Sequence, residues 1–188
     1  MKLSETSWIE IIHNSITTDF DEFWKLCPKE RHEIKIYGKT FKIPRFQQFY
    51  SKVIPSYRYS GTISSAEREI PNYVQECIDK AFELYPDIDW NGTLVNWYRD
   101  GSNYISPHSD DEKELVSDIP ILSFSFGGIR TFRIKNKKTN KKLDIPTLDG
   151  SIIVMGGDIQ KEYTHEITKT KKFVNPRINV TVRSYKTK

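Results

Sequence analysis

Two cysteines, two methionines and no apolar run near membrane-spanning length set the first limits on this 188-residue chain. Cys27 and Cys77 lie far apart, with neither paired spacing nor a neighbouring histidine pattern, which excludes a disulfide scaffold and a zinc finger. Both are expected to be reduced thiols. A membrane-spanning helix needs roughly 20 consecutive apolar residues, and nothing here approaches that. The opening stretch MKLSETSWIEIIHNS also lacks the sustained apolar segment of a secretory leader. The expectation is an intracellular protein, nuclear or cytoplasmic, with no membrane partner. Internal repeats, low-complexity tracts and long linkers are missing too, so residues 1–188 are expected to form one domain and a monomer. Neither charge sign dominates: 29 Lys and Arg face 25 Asp and Glu, a net charge of +4. That small excess is concentrated in KNKKTNKK (135–142) and TKTKK (168–172), and nucleic acid is the partner that would use both runs.

What is present is an aromatic-rich globular composition, 37% hydrophobic and 13% aromatic, which rules out a disordered chain. Helical spacing of Trp8, Ile11, Ile12 and Ile16 predicts a first helix, and DFDEFWKLCP a short second one ended by Pro28. Residues 1–32 therefore read as a helical amino-terminal extension. EIKIYGKTFKIPR reads as strand, Tyr37-Gly38-Lys39 turn and strand, and YRYSG as a further extended segment. One helix follows in IPNYVQECIDKAFELYP, with Ile70, Val74, Cys77, Ile78, Ala81, Phe82 and Tyr85 on one stripe and Pro86 as its stop. After residue 92 about eight short strand-like runs are separated by Asp-Gly, Gly-Gly and Lys/Asn-rich turns. The fold class is accordingly α+β, mostly β: a double-sheet jelly roll with supporting amino-terminal helices.

The strand RINVTVR carries the chemistry. Period-two alternation sends Ile178, Val180 and Val182 to one face and Arg177, Asn179, Thr181 and Arg183 to the other. In TLVNWYR the hydrogen-bonding Asn96 and Tyr98 share a face by the same rule. If those faces line the inside of the roll, the guanidinium groups need an acidic partner, because a buried unpaired cation is very costly. A small dicarboxylate would satisfy both arginines.

The segment YISPHSDDEKEL adds a metal chelate. His108 and Asp110, two apart on an extended segment, point the same way. A third ligand must come from elsewhere. His13 falls in the predicted amino-terminal helix and His32 in a charged connection, both expected at the surface, whereas His165 lies on a predicted strand. Two imidazoles and one carboxylate match the facial triad of non-haem Fe(II) oxygenases. Zinc could use the same ligands for hydrolysis, but would leave the Arg177/Arg183 line without a role.

Taken together, NWYRDGSNYISPHSDDE, ILSFSFGGIRTFRI, His165 and PRINVTVR resemble the AlkB family of Fe(II)- and 2-oxoglutarate-dependent dioxygenases, over roughly residues 33–185. The resemblance implies a double-stranded β-helix whose core is residues 92–185, with a nucleotide-recognition segment at 33–68. It implies Fe(II), 2-oxoglutarate and O2 as cofactors, and His108, Asp110 and His165 as iron ligands and catalytic centre. Arg177 would meet the distal carboxylate of 2-oxoglutarate, with Asn96, Tyr98, Asn179, Thr181 and Arg183 completing that pocket. The implied activity is oxidative demethylation of N-alkylated bases, of the 1-methyladenine and 3-methylcytosine type, releasing formaldehyde, succinate and CO2.

A base must leave its stack to be oxidised, which costs a few kcal/mol in intact duplex. By resemblance, Tyr59 (with Tyr57 beside it) stacks the flipped base, and Asp111 and Glu112 read its polar edge. IKIYGKTFKIPR most resembles the branch acting on double-stranded DNA, with Ile36, Tyr37, Gly38 and Lys39 as a finger that fills the gap. Lys169, Lys171 and Lys172 match a basic loop against the DNA backbone. The expected partner is alkylated DNA, duplex and single-stranded, with RNA a further candidate. The same chemistry on RNA or protein, or a nucleic-acid-binding module with a vestigial site, stand as alternatives, because fold does not decide substrate.

Overall fold

In a computed structural model of the chain, the described residues are 1–36, 39–59 and 62–187. A six-stranded antiparallel sheet runs in the order β1 (Ser7–Ile12), β12 (Ser151–Gly157), β9 (Ile121–Gly127), β14 (Arg177–Arg183), β7 (Gly92–Tyr98) and β4 (Phe46–Tyr50). Opposite it stands a four-stranded sheet in the order β11 (Lys142–Pro146), β10 (Thr131–Asn136), β13 (Tyr163–Ile167) and β8 (Ile105–His108). Two hairpins, β2 (Glu33–Ile36) with β3 (Lys39–Lys42) and β5 (Ser56–Tyr59) with β6 (Thr62–Ser65), stand outside both sheets. The helices are α1 (Phe20–Trp24), α2 (Asn72–Leu84) and α3 (Ile159–Glu162). This is the expected jelly roll.

Alternation within the large sheet divides the molecule into layers. Leu122, Phe124 and Phe126, Ile152 and Val154, Val95 and Trp97, and Ile178, Val180 and Val182 point outward and form one core with Phe23 of α1 and Val74, Cys77, Ile78 and Ala81 of α2. The opposite parity faces inward, where Tyr98, Ile121, Ile153 and Met155 meet Ile105, Phe132, Ile134 and Ile167 of the smaller sheet. The helices therefore cover the outer face and leave the space between the sheets for the polar residues of β7, β9 and β14. In α2 the stripe loses one predicted member: Val74, Cys77, Ile78 and Ala81 are buried and Ile70 and Tyr85 pack against the same core, whereas Phe82 is 39% exposed. Cys27 and Cys77 are both free thiols, and burial pushes that of Cys27 up to about 11.

The amino terminus departs from its predicted helix. Ser7–Ile12 is an edge strand, in register with β12 from Ser7 opposite Gly157 to Ile12 opposite Ile152. Trp8 and Ile12 pack on the helix-covered core, while Ile9 and Ile11 enter the space between the sheets. A strand with apolar contacts on both faces carries apolar residues in both parities, and Trp8, Ile11 and Ile12 then imitate a helical stripe. Gly156 sits opposite Trp8, and a Cβ there would collide with the indole. The predicted short second helix is α1, whose cap Asp19 accepts the Glu22 N–H at 3.1 Å.

The strand assignment makes a stability prediction. Ile9 is fully buried, so Ile9→Ala should cost about 2–5 kcal/mol by urea denaturation. Glu10→Ala, at the one exposed position of the strand, should stay within about 0.5 kcal/mol. A helix with its stripe on Trp8, Ile11, Ile12 and Ile16 would leave Ile9→Ala nearly silent.

Candidate active site between the sheets

The inner face of β14 meets the inner faces of its neighbours in direct register. Asn179 stands opposite Asn96 on one side and Ser125 on the other, and Arg177 opposite Tyr98. All four inward residues of the strand are buried, as are Asn96 and Tyr98. Asn179 Nδ2 donates to Ser123 Oγ and to the Phe124 carbonyl, both at 2.8 Å, and the Thr181 hydroxyl donates to Asn179 Oδ1 at 3.2 Å. Arg45 Nε donates to Asn96 Oδ1 at 2.8 Å. These bonds hold the polar groups in one orientation, because each side chain is committed to a partner that is itself buried.

Arg177 behaves differently. It is 1% exposed and donates from Nη2 to Ser125 Oγ at 2.9 Å, yet its Nε and Nη1 meet no acceptor. Its guanidinium centre lies 5.2 Å from the Tyr98 ring. Burial pushes its pKa down to about 10, which leaves it cationic at neutral pH. A buried cation with two idle donors is a receptor for an anion, and a carboxylate fits two such donors.

Near the other end of β14, two histidines and an aspartate converge. His165 of β13 is in register with His108 of β8, and their ring centroids are 4.3 Å apart. Asp110 follows the end of β8; its Oδ1 is 3.7 Å from His108 Nε2 and its Oδ2 3.9 Å from His165 Nε2. One ligand atom from each of the three lies within 4.8 Å of the others, and this is the sole such cluster among the described residues. Phe132 stacks on the outer face of the His165 ring at 5.3 Å. Burial lowers the pKa of His108 and, with the neighbouring His108 ring, pushes His165 down to about 3. Both imidazoles are therefore neutral, the form that binds metal. Burial opposes ionisation of Asp110, but the Arg183 guanidinium, within hydrogen-bonding distance of it, holds its carboxyl below the usual range. Its Oδ2 has no hydrogen-bond donor although the side chain is 2% exposed. Two neutral imidazoles and a carboxylate with an idle oxygen suit a divalent metal.

Arg183 links the parts. Its Nη2 is 2.8 Å from Asp110 Oδ1 and its Nη1 3.8 Å from Glu112 Oε1. The pocket bounded by these groups has about 30 Å³ of free space. A larger cavity of about 510 Å³ shares Asp110 and has Asp111 and Glu112 on its wall beside Leu115, Ile119 and Pro120. Asp111 is exposed and Glu112 half-buried.

The remaining candidates lie further out. Lys169, Lys171 and Lys172 are exposed in the β13–β14 connection. Ile36 and Lys39 are paired across the β2–β3 hairpin; Tyr37 and Gly38, the predicted tip, lie outside the described residues. Tyr57 and Tyr59 are on β5. Among the other histidines, His13 is exposed as expected, while His32 is half-buried rather than on the surface, and burial lowers its pKa.

Several participants were not visible in the sequence. Ser123 and Ser125 share the inward parity of ILSFSFG, a signal that alternation carries. Gln160 gave no signal: it lies on α3, and its Oε1 accepts the Asp110 backbone N–H at 2.9 Å while Nε2 lies 3.7 Å from Met155 Sδ. Arg130, buried, donates to the carbonyls of Asp100, Asn103 and Thr168 at 2.8–3.1 Å and so ties two loops beside the pocket.

A family model described as the 2OG-Fe(II) oxygenase superfamily matches residues 11–183. The DNA oxidative demethylase ALKBH2 of Bos taurus is 32% identical over 158 residues, covering 80% of this chain and 56% of that protein. Its Homo sapiens counterpart is also 32% identical, over 80% of this chain and 60% of that protein. The Alpha-ketoglutarate-dependent dioxygenase alkB homolog 3 of Mus musculus is 30% identical over 77% of this chain and 53% of that protein. The chain thus spans between half and two thirds of the length of these relatives. Among solved structures, that of OsALKBH1 superposes with a TM-score of 0.64 at 16% identity, covering 94% of this chain and 97% of that one, a likeness of fold.

Gln160 yields a prediction for this site. Gln160→Leu removes the acceptor that orients Asp110 and should weaken Mn(II) binding by titration calorimetry about tenfold, with thermal stability little changed. Gln160→Glu, which keeps an acceptor, should retain the affinity.

Proposed function

The chain belongs to the 2OG-Fe(II) oxygenase superfamily and within it to the AlkB family, and on that footing we propose that it is an oxidative demethylase of N-alkylated bases in DNA. The observation that carries this reading is the pairing of two features around one pocket: a His108/Asp110/His165 cluster, and, on the opposite sheet, a buried Arg177 with idle donors. His108, Asp110 and His165 would hold Fe(II). Arg177 would take the distal carboxylate of 2-oxoglutarate, with Tyr98 beside it; Asn96, Asn179 and Thr181 would line the middle, and Arg183 the metal end. Bound there with O2, iron and 2-oxoglutarate supply the oxidising chemistry that hydroxylates an N-methyl group, with formaldehyde, succinate and CO2 as products.

The protein's own contribution is positioning and the exclusion of water. Burial keeps both imidazoles neutral, and the Arg183 guanidinium keeps Asp110 anionic, so the chelate needs no proton loss to form. Arg183, bonded to Asp110 and close to Glu112, ties the metal end of the pocket to the acids on the wall of the larger cavity. Asp111 and Glu112 would accept hydrogen bonds from the exocyclic amino group of a methylated adenine or cytosine. Tyr57 and Tyr59 would stack the base, and Ile36, Tyr37, Gly38 and Lys39 would occupy the gap in a duplex. Lys169, Lys171 and Lys172 would meet phosphates. The DNA assignment is supported by the similarity to the DNA oxidative demethylases ALKBH2.

Turnover tests this directly. With Fe(II), 2-oxoglutarate and O2, the protein should release formaldehyde from oligonucleotides bearing 1-methyladenine or 3-methylcytosine; co-substrate consumption with no base repaired would move the substrate to RNA or protein, and binding without turnover would leave a binding module. Arg177→Met should raise the KM for 2-oxoglutarate on the order of 100-fold, since truncating one partner of a buried charged pair costs several kcal/mol. Tyr37→Ala should lose duplex activity and keep single-strand activity; equal losses on both would remove the finger.

A further inference from the structure

Phe173 is 92% exposed, an unusual place for an aromatic ring in a chain that buries most of its large apolar residues. It is not a frayed position. On one side the Thr170 N–H donates to the Gly101 carbonyl at 2.9 Å, and on the other the Gly128 N–H donates to the Pro176 carbonyl at 2.7 Å. Both glycines are required by this packing, because a Cβ at 101 would press on the Thr170 carbonyl and one at 128 on the Asn175 carbonyl. The loop is thus tied down before and after the ring it displays. Beside Phe173 runs a groove of about 330 Å³ walled by Ile129, Arg130, Pro146 and Val174, and Ile129 is itself 56% exposed. Lys169, Lys171 and Lys172, all exposed, immediately precede the ring.

An exposed ring, a groove with apolar walls at Ile129, Pro146 and Val174 and with Lys172 on its edge, and two further exposed lysines in the same loop suit a polymer with alternating anions and flat apolar faces; the Asp144 carboxylate on the groove wall is paired with Arg133. We propose that Phe173 stacks an unpaired base of the strand whose phosphates meet Lys169, Lys171 and Lys172, with the groove beside Ile129 receiving the neighbouring nucleotide. This rests on the nucleic-acid reading above and adds a contact to it. Aromatic stacking tolerates any base, since every base has a π-face, so the contact would add grip on single strands without reading sequence. An apolar protein partner would gain nothing from the lysines, and charge complementarity therefore favours the strand.

Fluorescence anisotropy with two labelled single-stranded oligonucleotides of equal length, one carrying bases and one abasic, tests the contact. Phe173→Ala should bind the base-bearing strand about tenfold more weakly, Phe173→Trp as tightly as the unaltered protein, and all three should bind the abasic strand alike. The salt dependence should be unchanged in Phe173→Ala, whereas Lys172→Ala should reduce its slope by about 0.7. Equal affinity of Phe173→Ala for the base-bearing strand, or an equal loss on the abasic one, overturns the proposal. So does self-association of the unaltered protein in sedimentation that Phe173→Ala abolishes, which would give the face to a second copy. If the unaltered protein binds neither strand, the nucleic-acid reading itself fails; if it binds and demethylates while Phe173→Ala matches it, only the stacking contact is lost.

Discussion

Cations buried between two sheets persist only where anions or dipoles answer them, and much of the molecule is arranged around that requirement. Arg183 is answered from within by Asp110 at 2.8 Å, with Glu112 nearby. Arg177 is answered in part, by Ser125 and the Tyr98 ring, and keeps two donors without acceptors. The difference between the two arginines is the functional asymmetry of the strand. One end is electrostatically closed and holds a metal-binding carboxylate in place. The other remains a receptor for a small acid.

That arrangement needs dry surroundings on every side, and the two cores provide them. Helices α1 and α2 seal the outer face of the large sheet, so that each central strand can be apolar outward and polar inward without exposing backbone to water. The smaller sheet supplies both histidines from adjacent strands in register, which sets the spacing of their rings by strand pairing rather than by side-chain flexibility. Phe132 backs one ring, and Gln160 fixes the backbone of the carboxylate between them. Polar side chains committed to buried partners are less free to turn, which favours a preorganised site.

Around this centre the groups proposed to meet substrate are graded by exposure. Glu112 is half-buried and close to Arg183, Asp111 is at the rim, and the lysines and Phe173 are fully outside. The gradient runs from dry groups around the metal-binding cluster to solvated ones, and solvated charge and an exposed aromatic face are what the proposed contacts with a nucleic-acid strand would use. Loops tied at Gly101 and Gly128 allow the outermost groups to be held without belonging to either core.

Local pattern alone located much of the site. Period-two alternation in RINVTVR and TLVNWYR set Arg177, Asn179, Thr181, Arg183, Asn96 and Tyr98 on inward faces, and His-x-Asp set two candidate ligands on one side of an extended segment, because side-chain direction in a strand is a property of the backbone itself. Tertiary structure decided the rest. The segment at Trp8–Ile12 became an edge strand because a sheet edge was available on which both of its parities could be buried. Gln160 reached Asp110 and Arg130 reached three carbonyls through contacts between residues 27 to 50 positions apart. Such partnerships depend on which surfaces meet when the sheets close, and no spacing along the chain encodes that.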